Sequence, residues 1–63
     1  MTRVEQHKMI GVLEDYEHTM RGVDLYEFEM MRKRDRDDED LDILSRRRLT
    51  EIYMKYVPER LRR

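Results

Sequence analysis

Residues 32–48 read RKRDRDDEDLDILSRRR. The stretch passes from basic residues through an acidic block and a short apolar segment to three consecutive arginines. Aspartate is unfavourable inside a helix but favourable at its start, where the helix dipole stabilises negative charge. We therefore predict that a helix ends before this acidic block and that the last helix of the chain begins within it.

The same stretch separates two regions of opposite charge. Residues 1–31 contain three basic and seven acidic groups and carry −4, whereas residues 46–63 contain seven basic and two acidic groups and carry +5. The net charge of the whole chain is −1, so no bulk attraction to nucleic acid or to a membrane surface is expected. Only the basic residues near the C-terminal end could attract a negatively charged partner.

Composition narrows the class of protein further. Cysteine is absent, which removes disulfides and most structural zinc sites. No apolar run approaches the ~18 residues of a membrane span, and the polar N-terminus lacks a signal-peptide pattern. We expect a cytoplasmic protein without a membrane partner.

Helical patterns predict an all-α fold, a small helical hairpin or three-helix unit with helices at about 3–21, 24–34 and 38–57. Residues 1–63 would form one small domain, with 58–63 as a basic tail. A chain of 63 residues is near the size at which a single core is marginal. We therefore expect self-association or a partner to complete the fold.

The first predicted helix has an apolar row whose members are spaced four and three residues apart: Met9, Leu13, Tyr16, Met20 and Val23. This is the spacing of a seam between packed helices. Thr2 and Glu5 fit a capping box at its start. Gly22 either ends this helix as a left-handed cap or is a tolerated glycine inside it, and the sequence favours a break.

Segment 24–34 is ambiguous, because Tyr26, Phe28 and Met30 alternate with glutamates in a strand-like period. No second β-rich segment could pair with such a strand, so a short helix is favoured. Its apolar residues spread around much of the circumference. A short helix of this kind is either wedged between other helices or lies at an intermolecular contact, and we assign Phe28 and Met31 to such a contact.

The last helix should stop at Pro58, since the residue before a proline is disfavoured in the helical conformation. It carries two apolar rows on nearly opposite sides. One row contains Leu41, Leu49, Ile52 and Tyr56, and the other contains Ile43, Met54, Val57 and Leu61. A peripheral helix of a monomer needs only one apolar face, so the second row predicts a cover from another subunit or a partner.

Metal and catalytic sites find little support. A calcium loop that starts at Asp35 would need glycine at position 40 and glutamate at position 46, where the chain has Asp40 and Arg46. His7 and His18 fall on the side of the first helix opposite its apolar row and should point to water. We predict no metal, no cofactor and no small-molecule substrate, and no enzyme activity, because no nucleophile with a positioned base is visible.

The function predicted is therefore a protein–protein interaction module, either an assembly, adaptor or regulatory subunit or a homo-oligomer. Its expected contacts are an apolar surface and an arginine-rich rim: Ile43, Arg46, Arg47, Met54, Val57, Arg60, Leu61, Phe28 and Met31. The alternative is a small nucleic-acid-associated regulator that uses the basic C-terminal half.

Overall fold

The computed structural model describes residues 2–61 and contains three α-helices. They are α1 (Arg3–Glu14), α2 (Val23–Arg36) and α3 (Ile43–Tyr56), with single 3-10 turns at Glu17–Thr19 and Glu59–Leu61. Each α-helix packs against the other two, and the described residues form no strand. This confirms the prediction of an all-α three-helix unit.

The start of α1 is the capping box predicted from the sequence. The Thr2 hydroxyl accepts a hydrogen bond from the Glu5 amide at 3.2 Å, and the Glu5 carboxylate accepts one from the Thr2 amide at 3.3 Å. The backbone hydrogen bond from Thr2 lowers the pKa of Glu5. Two backbone donors that a helix start leaves unpaired are therefore satisfied by local chemistry.

The end of α1 differs from the prediction, because the helix stops at Glu14 rather than continuing to Arg21. The chain turns at Asp15 and passes through a 3-10 turn in which the Thr19 hydroxyl donates to the Tyr16 carbonyl at 2.6 Å. The residues that pack are Gln6, Ile10 and Leu13, a row spaced by four and three residues. The predicted row is wrong at its far end, where Val23 is 68% exposed.

Gly22 confirms the predicted break but in another role. It is the N-cap of α2, with φ +61° and ψ −132°, a conformation that side-chain-bearing residues rarely adopt. Since α1 has already ended, Gly22 does not close that helix. It instead lets the chain turn directly into α2.

The acidic block forms the connection between α2 and α3, so the prediction that α3 begins near residue 38 is wrong. Asp38 adopts the left-handed conformation, with φ +61°. The Glu39 amide then donates to the Arg34 carbonyl at 2.9 Å, and the Asp38 amide donates to the Asp35 carbonyl at 3.1 Å. This is a Schellman closure of α2, in which aspartate takes the position usually held by glycine.

Both ends of α3 follow local signals. The Asp42 carboxylate accepts a hydrogen bond from the Ser45 amide at 2.7 Å, and this N-cap contact lowers the pKa of Asp42. At the other end Val57 is extended and Pro58 follows, which confirms the predicted stop. The helix is therefore shorter than expected only at its start.

One core lies between the three helices and includes residues of the connections. Its buried apolar members are Ile10, Leu13, Met20, Phe28, Met31, Leu41, Leu49, Ile52, Tyr53 and Val57. Burial of such side chains is the main favourable contribution to folding. The core therefore fixes one face of α3 inwards and leaves its opposite face to solvent.

Candidate interaction surface

The predicted contact residues divide into two groups in the structure. The exposed group contains Ile43 (74% exposed), Met54 and Leu61 (each 51% exposed), together with the exposed arginines Arg47 and Arg60. Arg46 is half-buried. These residues all reach the surface of the described chain, to different extents.

Phe28, Met31 and Val57 form the second group, and the structure corrects their placement. They are 0%, 4% and 1% exposed and belong to the core of the single chain. Phe28 and Met31 are buried together because α2 is a regular helix, in which residues three apart share a face. That face packs on α1 and α3, whereas Tyr26 and Met30 point outwards.

The exposed side of α3 is a continuous stripe, which we call the outer α3 face. Ile43, Arg47, Thr50 and Met54 are spaced by four, three and four residues, so they lie along one line of the helix. Two further exposed residues, Leu44 and Glu51, flank that line. The outer α3 face thus consists of Ile43, Leu44, Arg47, Thr50, Glu51 and Met54.

Leu44 is the apolar member of this face that sequence reasoning missed. It is 71% exposed, and it stands beside Ile43 in the first turn of α3. The sequence did contain a signal for this exposure, because Leu44 belongs to neither of the two apolar rows of the helix. A leucine outside both rows has no position that faces the core. Adjacent large apolar side chains at this level of exposure are unusual unless a surface is used.

The arginine triplet is split by the geometry of the helix. Arg48 points towards α2, where its guanidinium lies 2.9 Å from Asp24 and from Glu27, and it also reaches Glu51 at 3.3 Å. The side-chain hydrogen bond with Glu27, followed by that with Asp24, raises the pKa of Arg48. Arg48 therefore holds α3 against α2 and is engaged within the chain.

Arg46 and Arg47 have different surroundings. Arg47 projects into solvent on the outer α3 face. The Nε atom of Arg46 is buried and has no hydrogen-bond partner among residues 2–61. A buried donor without a partner costs about 1–3 kcal/mol, so this atom lies at a point where the chain's own contacts are incomplete.

Asp24 attaches the flank of α3 beside the outer α3 face to the start of α2. Its carboxylate accepts hydrogen bonds from the Lys55 ammonium and the Tyr56 hydroxyl, each at 2.7 Å, and from Arg48 at 2.9 Å. The bonds from Lys55 and Tyr56 lower the pKa of Asp24 to about 2, and the same carboxylate raises the pKa of both partners. Three donors from one helix thus fix the rotation of α3 about its own axis, which keeps the outer α3 face turned outwards.

A second polar cluster joins α1 to the end of α2. Gln6 is fully buried; its amide donates to Asp35 at 3.0 Å, and its carbonyl oxygen accepts the Leu41 amide at 3.2 Å. The other Asp35 oxygen lies 2.6 Å from His7 Nδ1. The expectation that His7 points to water is therefore only half right, because its exposed ring is anchored to a buried carboxylate.

Within residues 2–61, no group of three or more His, Cys, Asp or Glu side chains is arranged to hold a metal ion. The described helices also include none with the length and apolarity needed to cross a bilayer. The described helices present two exposed, partly apolar surfaces: the outer α3 face, and a row on α2 that consists of Val23, Tyr26 and Met30.

Comparison with known proteins adds no family to this description: no family model, curated protein or solved structure matches the chain.

Proposed function

We propose that this protein is a non-enzymatic protein-binding module, acting as an assembly, adaptor or regulatory subunit, and that the outer α3 face is its docking surface. The observation that carries the proposal is the pair of adjacent side chains Ile43 and Leu44, exposed by 74% and 71% on a chain whose own core is built without them. Exposed apolar side chains with a charged rim are the usual composition of a protein contact.

Local chemistry supports the proposal from a second direction. Ile43 and Leu44 occupy the first two positions of α3, where acidic and small polar residues are favoured by the helix dipole. Large apolar side chains in these positions contribute neither to the cap nor to the core. A partner that covers them accounts for their presence.

The test compares the same substitution, to aspartate, at two equivalent helix positions. Ile43→Asp should abolish partner capture from lysate of the native host, whereas Val23→Asp should leave it unchanged. Both residues are the first of a helix, and both are largely exposed (74% and 68%), so aspartate should be tolerated structurally at either position. Equal capture by the wild type and Ile43→Asp would contradict the proposal.

A nucleic-acid-associated role is the weaker candidate. It rests on Arg47 and Arg60, which are exposed in the basic half of the chain. Arg48 is engaged by Asp24 and Glu27, which reduces the positive surface available to phosphate. Duplex DNA binding that falls steeply with salt would favour this role over protein binding.

A further inference from the structure

We propose that the partner of the outer α3 face is a second copy of this chain, packed with its α3 antiparallel to the first. The inference rests on the proposed function, because it names the occupant of the same face. It is carried by the charge pattern of that face and of the two ends of α3.

The first observation is that the outer α3 face is complementary to itself. In an antiparallel pair with its twofold axis between positions 48 and 49, residues whose numbers add to 97 lie at the same level. Ile43 of one copy then lies level with Met54 of the other, and Arg47 lies level with Thr50. Arg47 also comes beside Glu51 of the second copy, and the twofold axis makes each of these contacts twice.

Opposite charges on the same face explain why a second copy fits better than a uniformly acidic protein. Arg47 and Glu51 are both exposed and one helical turn apart. One oxygen of Glu51 lies 3.3 Å from Arg48 of the same chain, but the Glu51 side chain is still 56% exposed, so an acidic partner that attracts Arg47 would be repelled by Glu51. An antiparallel copy presents a glutamate to each arginine and an arginine to each glutamate. The face therefore favours a partner that carries an acidic and a basic residue in the reverse order along its helix.

The ends of α3 carry the same complementarity at longer range. Its N-terminal end follows the acidic connection, in which the side chains of Asp40 and Asp42 are each 63% exposed, although Asp40 lies 3.6 Å from Arg3 and Asp42 lies 3.8 Å from Arg34. Beyond its C-terminal end lies the exposed Arg60. Antiparallel pairing places the acidic end of each helix next to the basic end of the other, and it also aligns the two helix dipoles favourably.

The size of the face predicts a weak, reversible dimer. A 14-residue helix is about 21 Å long, and a standard stable interface needs about 800 Å² from each partner. That area is roughly one sixth of the 4747 Å² surface of the described chain, more than one pair of short helices covers. We therefore expect a dissociation constant between about 10 µM and about 1 mM.

The test uses charge reversal and mixing, measured by sedimentation equilibrium over that concentration range. Arg47→Glu alone and Glu51→Arg alone should each weaken dimerisation about tenfold or more, because like charges then meet at two equivalent places. An equimolar mixture of the two variants should regain wild-type association as a heterodimer. In that mixture the new carboxylate at position 47 faces an arginine of the other variant, and the new guanidinium at position 51 faces a glutamate.

Recovery on mixing is the decisive result, since a defect in folding of either variant would persist in the mixture. Circular dichroism of each variant provides the fold control, and Val23→Asp provides a variant whose dimerisation should equal that of the wild type. A wild-type chain that remains monomeric to about 1 mM, or a mixture that stays monomeric, would overturn the inference.

The same samples separate this inference from the proposed function. If the wild type is monomeric but captures a host protein in a manner sensitive to Ile43→Asp, the dimer is wrong and the docking surface stands. If the wild type is monomeric and Ile43→Asp captures as well as the wild type, both proposals fail. If the mixture recovers association, both are supported.

Discussion

Asp24 and Asp35 lie three helical turns apart on the same side of α2, and each attaches that helix to a neighbour by different chemistry. Asp24 receives Lys55, Tyr56 and Arg48, all from one helix and two of them cationic. Asp35 receives the neutral amide of the fully buried Gln6 and the ring of His7. The first attachment depends on charge. The second depends on shape and on hydrogen bonds that are shielded from water.

The difference lies in what each cluster holds in place. The Asp24 contacts join side chain to side chain at the margin of the core. The Gln6 contacts reach the backbone, because the same amide group that binds Asp35 also accepts the Leu41 amide of the connection before α3. A buried amide that serves two segments is harder to replace than a half-exposed ion pair.

The largest effect should come from Gln6→Ala. It leaves the Leu41 amide without its acceptor and opens a cavity, so we expect the free energy of unfolding to fall by about 2–4 kcal/mol. Urea unfolding followed by circular dichroism measures this loss, with Lys8→Ala on the exposed side of α1 as the control. A loss below about 1 kcal/mol would show that water replaces the amide at little cost.

A smaller effect is expected from Asp24→Asn, which keeps the shape of the side chain but removes its charge. Charge-assisted hydrogen bonds are lost or weakened, and the free energy of unfolding should fall by about 1–2 kcal/mol. Glu29→Gln, on an exposed position of the same helix, should be nearly neutral. A loss equal to that of Gln6→Ala would remove the proposed distinction between the two clusters.

Acid should erase the difference between wild type and Asp24→Asn. The pKa of Asp24 is about 2 in the folded chain against an ordinary value of 3.8, so the folded state favours the ionised form. Its contribution to stability is complete above pH 4 or so and is lost as the pH falls towards about 2. Thermal unfolding of both proteins across this range should give melting temperatures that converge on acidification; a constant gap would be inconsistent with ionised Asp24 as the source.

The smallest effect should come from His7→Gln. The His7 side chain is 78% exposed, whereas that of Asp35 is only 6% exposed. Glutamine keeps an amide donor for this buried carboxylate, so the free energy of unfolding should change by about 1 kcal/mol or less. The measurement is the same urea titration as for Gln6→Ala. A loss comparable with that of Gln6→Ala would place the histidine, rather than the amide, at the centre of the cluster.

Local signals in the sequence predicted the parts of the fold that local chemistry decides. The Thr2–Glu5 capping box, the break at Gly22 and the stop before Pro58 each depend on a few neighbouring residues, and each is present. The acidic block misled because aspartate suits both a helix start and a left-handed cap. Asp38 takes the second role, and only Asp42 takes the first.

The remaining errors concern contacts between distant residues. A glutamine in a charged sequence gives no sign that it is buried, and the Gln6 environment exists only when α1, α2 and the following connection meet. Phe28 and Met31 looked available because the surfaces that cover them belong to other helices. For the candidate surface, Ile43, Arg47 and Met54 were predicted as contacts and are exposed, whereas Leu44 required the orientation of α3 to be known.

The hydrogen bond between Gln6 and the Leu41 amide also has a consequence for the order of folding. It joins residues 35 positions apart, so the connection between α2 and α3 is completed by a side chain from the opposite end of the sequence. Closing a loop of that length lowers the entropy of the chain before the contact can stabilise it. Because Leu41 follows α2, a nascent chain that has released only α1 and α2 cannot make this bond, and we expect it to form only after the connection before α3 has emerged.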